Sequence, residues 1–291
     1  MALDTIQAVP PADAVRTKTG AAAARSLAGF FGRSFLTGAI TLVIVLLAWQ
    51  GALLAFGVST FLAKGPLDVF NWLFTVPAAA ENRDGLLGNL GITLVDAFIG
   101  FSAGLVTALV LATLFALSKG IESALMPIAM LLRSVPLVAL APIIILAVGR
   151  DAPVTIAAVM GGIVVLFPAL VNIVFGLRSA SPIVTDVIAV YGGSPFTALR
   201  MVALPSSLAS FFAAVKISIP GAITGALLAE WLGTGKGLGS SIVTAVAQVK
   251  NFEVWSSVVI ITLVSLVLYG VAQLVETLVL RRMGLERTAA G

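Results

Sequence analysis

The chain has 291 residues, of which 59% are hydrophobic and only 10% charged, with a net charge of +4. Soluble domains carry roughly 25% charged residues, so this composition points away from a soluble globule and towards a bilayer as the solvent. Cys and His are both absent, which removes thiol chemistry, disulfides, histidine metal ligands and histidine acid–base catalysis, and the scattered basic residues argue against a nucleic-acid partner.

Residues 1–33 are rich in Ala, Pro and Thr without an apolar period and read as a flexible tail. They are not a signal peptide: the run that follows, FLTGAITLVIVLLAWQGALLAFGVSTFLA, is far longer than a signal core and lacks a clear cleavage site. A helix needs about 20 apolar residues to cross a bilayer. Six segments between charges qualify, at roughly 35–58, 88–118, 124–149, 152–177, 206–232 and 254–280. Residues 34–87 then hold the first span and an outer segment, 88–280 a core domain, and 281–291 a tail. The piece PLDVFNWLFTVP (66–77) is too short to cross; its Trp72 suits an interfacial helix, with an ordinary loop as the equal alternative.

An even number of spans puts both termini on one side. With that side cytoplasmic, Arg16, Lys18, Arg25, Arg33, Lys119, Arg178, Arg200, Arg281, Arg282 and Arg287 lie inside, and Lys64, Arg83, Arg150, Lys236 and Lys250 outside, ten against five. The bias predicts N-in, C-in.

Between the fourth and fifth spans stands DVIAVYGGSPFTALRMVALP (186–205). Pro182 can open a helix, because its missing N–H falls among donors unpaired anyway, and Asp186 suits the dipole of an early turn. Gly192 and Gly193 can end that helix through a positive φ. Ser194 and Pro195 then read as an N-cap and first turn, and Pro205 as an end. Two short helices joined at Gly-Gly are predicted. A connection alone needs only a few residues; a loop this long serves a partner or a function more often than it merely turns the chain.

The same residues resemble the cytoplasmic loop of permease subunits of ATP-binding-cassette importers, whose pattern is Glu-Ala-Ala, three residues, Gly, nine residues, Ile, any residue, Leu-Pro. Asp186 stands at the Glu position, Val187 and Ile188 replace Ala-Ala, Gly192 matches the Gly, Val202 replaces Ile, and Leu204-Pro205 match the end. LLRSVPLVALAPIIILAVG (131–149), FPALVNIVFGLRS (167–179) and AEWLGTGKGLGSSI (229–242) resemble the nitrate/sulfonate/taurine branch of that family. The resemblance implies an all-α membrane protein with six spans, like a type I importer permease, in a bacterial inner membrane. It implies a cytoplasmic coupling helix, with Asp186, Val187, Ile188, Ala189, Tyr191, Gly192, Gly193, Ser194, Leu204 and Pro205 contacting the ATPase. The implied partners are two ATP-binding cassette subunits, a second permease copy and a periplasmic or lipid-anchored solute-binding protein, all working in the lipid bilayer. ATP and Mg belong to the ATPase; no cofactor is expected on this chain. The solute implied is small and anionic or zwitterionic. Asp96, however, stands where many of those relatives carry a basic residue, and an acid there is similar to the branch importing thiamine-precursor pyrimidines or riboflavin.

GTGKGLG (233–239) invites a phosphate-loop reading, but Glu230 stands where the motif needs its first Gly, and Gly237 where it needs Ser or Thr. A Gly-rich turn at the outer mouth fits better. Charges at bilayer depth are costly and usually face water or a bundle interior. Arg133 and Pro136 in the third span, with Asp96 and Glu230, are the candidates for the translocation path. Asp96 and Glu230 read equally as interfacial, wet groups, and Lys216 as a structural one. Gly100–Gly104 and Gly221–Gly225 each permit close helix approach. An ion-coupled secondary transporter would show repeats with broken helices and buried acids, and an intramembrane enzyme a catalytic pair; neither pattern stands out.

Overall fold

The computed structural model describes residues 37–38, 40–149 and 151–284. The expected tail 1–33, Arg150 and the last residues of the expected tail 281–291 lie outside them. Among the described residues every regular element is a helix.

Two compact units divide the chain at Asp68. In the first, α1 (Ile40–Ala55) exposes Leu42, Val43, Ile44, Val45 and Leu47. A helix apolar on all sides is suited to hydrocarbon rather than to water. Asp68 closes this unit by accepting the Gly65 N–H at 2.9 Å, at the start of α2 (Pro66–Phe74).

In the second unit α2 buries Val69 and Leu73 and exposes Phe70 and Phe74. The C-terminal carbonyls of a helix lack intrahelical donors. Asn82 donates to the Trp72 carbonyl at 3.0 Å, and Arg83 donates to that of Leu73 at 2.6 Å while lying over the Phe74 ring. The segment 66–77 is therefore a capped helix, not an ordinary loop.

The long helices follow: α3 (Ala79–Leu117), α6 (Pro153–Arg178), α10 (Leu208–Ala229) and α12 (Asn251–Arg282). Among the described residues, α3, α6, α10 together with a π-helical turn (Glu230–Thr234), and α12 are the four helices long and apolar enough to cross a membrane. Helices in a bilayer gain little from burying apolar surface and associate through close packing of small residues. That is how the core is built. A Cβ on Gly100 would stand 2.7 Å from the Gly161 Cα, and one on Gly225 would stand 2.6 Å from the same atom. Gly104 meets the Gly162 carbonyl and Val165 in the same way. Three backbones thus meet near Gly161, where no side chain fits.

The third expected span, 124–149, is not one helix. The chain forms α4 (Lys119–Ser134) and α5 (Leu137–Val148), with Val135 and Pro136 extended between them at ψ 123° each. Proline disfavours the helical region for the residue before it and cannot donate to the preceding turn, and this local effect overrides the apolar run. The other expected spans shift at their ends; α3 begins at Ala79 rather than near 88.

The segment between α6 and α10 forms α7 (Pro182–Val190), α8 (Pro195–Ala198), a π-helical turn (Leu199–Ala203) and α9 (Leu204–Ser206). After α10 and its π-turn comes α11 (Gly237–Ala247).

Candidate functional site: the two ends of the bundle

α3 carries both candidate sites. Asn89 and Phe115 are 26 residues apart on it (115 − 89), which at 1.5 Å per residue is about 39 Å, close to the thickness of a whole bilayer. Phe115 borders a cavity of about 660 Å³ beneath α7 and α8, and Asn89 borders one of about 270 Å³ beside α11.

At the Phe115 end, Gly192 takes φ +78° and stops α7. Gly193 has no such φ. It is required for space, because a Cβ there would collide with Ile188, whose carbonyl accepts the Gly193 N–H at 2.8 Å. Ser194 caps α8 by accepting the Thr197 N–H at 3.3 Å. Neither α7 nor α8 buries any residue. Ile183, Val187, Val190 and Tyr191 are exposed, Val190 at 85% and Tyr191 at 87%. Asp186 and Ile188 line the cavity with Gly193 and Ser194. Ala189 lines the cavity with them, whereas Leu204 and Pro205 are not on its lining. Arg178 at the end of α6 pairs with Glu122 in the first turn of α4 at the cavity's edge; an exposed pair of this kind contributes little stability.

At the Asn89 end a polar network ties α11 to α3. The Glu230 carboxylate (Oε2) accepts the Gly239 N–H at 2.7 Å and the Thr93 hydroxyl at 3.0 Å. Thr93 accepts the Leu238 N–H at 2.9 Å. Two of the unpaired N–H groups that open a helix are thus satisfied, one of them by a carboxylate, which the helix dipole favours. Glu230 is 0% exposed, so it is not the wet group one reading expected. The cradle is made by glycine: a Cβ on Gly237 would collide with the Glu230 carboxylate, and one on Gly239 with the Leu227 carbonyl. Gly235 and Gly237 take φ +69° and +81°, so GTGKGLG is a turn wrapped around a carboxylate. Asp96, one turn beyond Thr93 on α3, is buried at 8% exposure.

The structure thus brings Glu230 to Thr93, a residue that sequence reasoning missed, with Asp96 buried one turn further along α3. Arg133 and Pro136 sit elsewhere, at the α4–α5 break, where Arg133 is exposed and lies 4.6 Å from the centroid of the Phe167 ring. Lys216 pairs with Glu276 and donates to Gln273 at 2.8 Å, joining α10 to α12. A charge at such depth is tolerated when paired.

Residues 85–285 match the family of binding-protein-dependent transport system inner membrane components. The chain belongs to that family. It is 27% identical to a probable ABC transporter permease protein of Haemophilus influenzae, over 78% of this chain and 89% of the relative. It is 29% identical to the riboflavin transport system permease protein RibX of Chloroflexus aurantiacus, over 83% and 88%. It is 26% identical to the putative aliphatic sulfonates transport permease protein SsuC of Bacillus subtilis, over 91% and 94%. This membrane-spanning family member is a transport component rather than an enzyme.

Proposed function

We propose that the chain is the permease subunit of an ATP-driven importer and that the 182–206 segment is its coupling element. The observation that carries this is a helix, α7, with no buried residue and with Ile183, Val190 and Tyr191 exposed, in a chain of this family. An apolar helical face held in water at a membrane boundary suits a groove on a partner, the helix-in-groove mode. The partners are two ATPase subunits, which hold ATP and Mg, a second permease copy, and a solute-binding protein. ATP shifts the permease between inward- and outward-facing states only in so far as it binds the closed ATPase pair better than the open one.

Six crossings are counted as α1, α3, α4 with α5, α6, α10 and α12. The α4–α5 pair is read as one crossing interrupted at Pro136, tolerable at depth where the freed backbone faces protein or water. Arg133 and Pro136 at that break and Asp96 are assigned to the translocation path. Glu230 is assigned to holding its outer wall. The coupling segment faces the cytoplasm, as do both termini, in a bacterial inner membrane. The domain division is a first span with its outer segment (34–87), a core (88–280) and terminal tails (1–33 and 281–291). The solute is small and anionic or zwitterionic, in keeping with the sulfonate-type relative; the riboflavin-type relative keeps a flat, uncharged ring as the second reading, favoured by acidic Asp96.

Gentle purification of the tagged chain from its own membrane, followed by mass spectrometry, tests this. An ATPase and a solute-binding protein are expected with it. Recovery of the chain alone, with transport persisting under an ion gradient in vesicles without ATP, would mean a secondary transporter.

A further inference from the structure

The cavity beside α11 differs from everything around it. In a chain with 10% charged residues, this space of about 270 Å³ has a mostly polar wall. The reason lies in the periodicity of α11. Gly237, Ser241, Thr244 and Gln248 recur at i, i+4, i+7 and i+11, which places them on one face of a helix. The other side of α11 buries Leu238 and Gly239, whose N–H groups are tied to Thr93 and Glu230.

The charges are placed with equal regularity. Lys236 precedes α11, and Lys250 follows it as the N-cap of α12, so the cavity has an exposed ammonium at each end of one helix. Glu253 in the first turn of α12 is the single carboxylate on the lining, against two lysines, and the Glu230 carboxylate lies behind the floor, against Gly237. The lining contains no other charged group. The hydroxyls of Ser240, Ser241 and Thr244 and the amides of Asn89 and Gln248 are its other polar side chains, and each can donate to an oxyanion.

We infer that this cavity is an entry subsite for a small organic oxyanion, a sulfonate or carboxylate, with Lys236 and Lys250 balancing its charge and Ser241 and Thr244 donating to its oxygens. A solute that also carries an ammonium meets Glu253. The place of the cavity supports the role. It lies at the opposite end of α3 from the coupling element, so it faces the arriving solute if that element is cytoplasmic; in this respect the inference rests on the proposed function. The Glu230–Thr93 network fixes the floor, because Gly237 lies against the Glu230 carboxylate. The two lysines remain exposed, which suits a site that must release its solute.

The probes are methanesulfonate and its neutral analogue dimethyl sulfone. Their binding to the full chain with its partners in lipid nanodiscs is followed by saturation-transfer NMR. Methanesulfonate is expected to bind saturably and dimethyl sulfone not to bind. K236Q/K250Q and S241A/T244V are each expected to weaken methanesulfonate about tenfold, the loss of one to two charge-assisted hydrogen bonds. Equal signals from both probes, or a methanesulfonate signal unchanged in both variants, overturn the subsite. So does the absence of a signal in the unmodified complex, which is the result expected if the lysines serve to dock the binding protein. Recovery of the ATPase is measured on the same preparations. Its presence with no methanesulfonate binding sinks the subsite alone; its absence sinks the importer reading itself.

Discussion

The two ends of α3 solve opposite problems with the same residue types. At the α11 end, Gly237 and Gly239 bring backbone onto a buried carboxylate, whose Oε2 accepts from Gly239 and Thr93. At the α7 end, Gly192 and Gly193 stop a helix, and its apolar side chains are left outside. One end is tied down by hydrogen bonds from Thr93 and Gly239 to a buried carboxylate oxygen. The other leaves Ile183, Val190 and Tyr191 uncovered, the surface that the proposed coupling would use. The proposed coupling of one face to the other would use both, a surface to be gripped and a wall that does not yield.

The comparison breaks most completely if the frame shared by both ends is lost. Gly161→Leu forces a side chain into the meeting point of α3, α6 and α10, where overpacking against backbone costs about 4 kcal/mol or more. No monodisperse protein is expected on gel filtration, and both ATPase recovery and methanesulfonate binding should vanish together.

A smaller effect separates the ends. Glu230→Ala leaves the Gly239 N–H buried without an acceptor, a cost of about 2 kcal/mol. Thermal unfolding should show that loss, while ATPase recovery through α7 persists. Glu230→Gln keeps an acceptor and should recover a good part of it. Equal melting of Glu230→Ala and the unmodified chain would show that the α11 end is not held in this way.

The smallest effect on stability, and the sharpest contrast, is expected at the other end. Val190→Asp changes a residue exposed at 85%, so stability should move by no more than about 0.5 kcal/mol. The ATPase should nevertheless be lost from the purified complex. Retention of the ATPase would remove α7 from the contact.

Much of this was legible in the sequence because it depends on local chemistry. Pro182, the Gly-Gly pair and Ser194-Pro195 mark helix starts and a stop wherever they occur, and α7 starts at Pro182 and ends just before Gly192 while α8 starts at Pro195; Pro205, expected as an end, lies instead inside α9, because the helical turns run on from Pro195 through Ser206. The α4–α5 break had its signal in Val135-Pro136, and the apolar run around it outweighed that signal in the reading. Thr93 carried none. A threonine in an apolar helix is ordinary, and only the arrival of Glu230, 137 positions later, makes it a hydrogen-bonding partner. Glycine was similar: Gly100 and Gly104 stood out as a pair, but their partners Gly161 and Gly162 are adjacent and fit no spacing rule.

The sequence by itself determined the solvent, the helical class and where most helices start and stop, since each follows from the hydropathy of a stretch or the backbone limits of single residues. Only the tertiary structure decided what the charges do. Glu230, Lys216 and Arg133 look alike on paper as ions in apolar surroundings. One is buried as a helix cap, one is paired across two helices, and one remains exposed over an aromatic ring. The cost of a charge in a membrane depends on what stands within a few ångströms of it, and those neighbours come from distant parts of the chain.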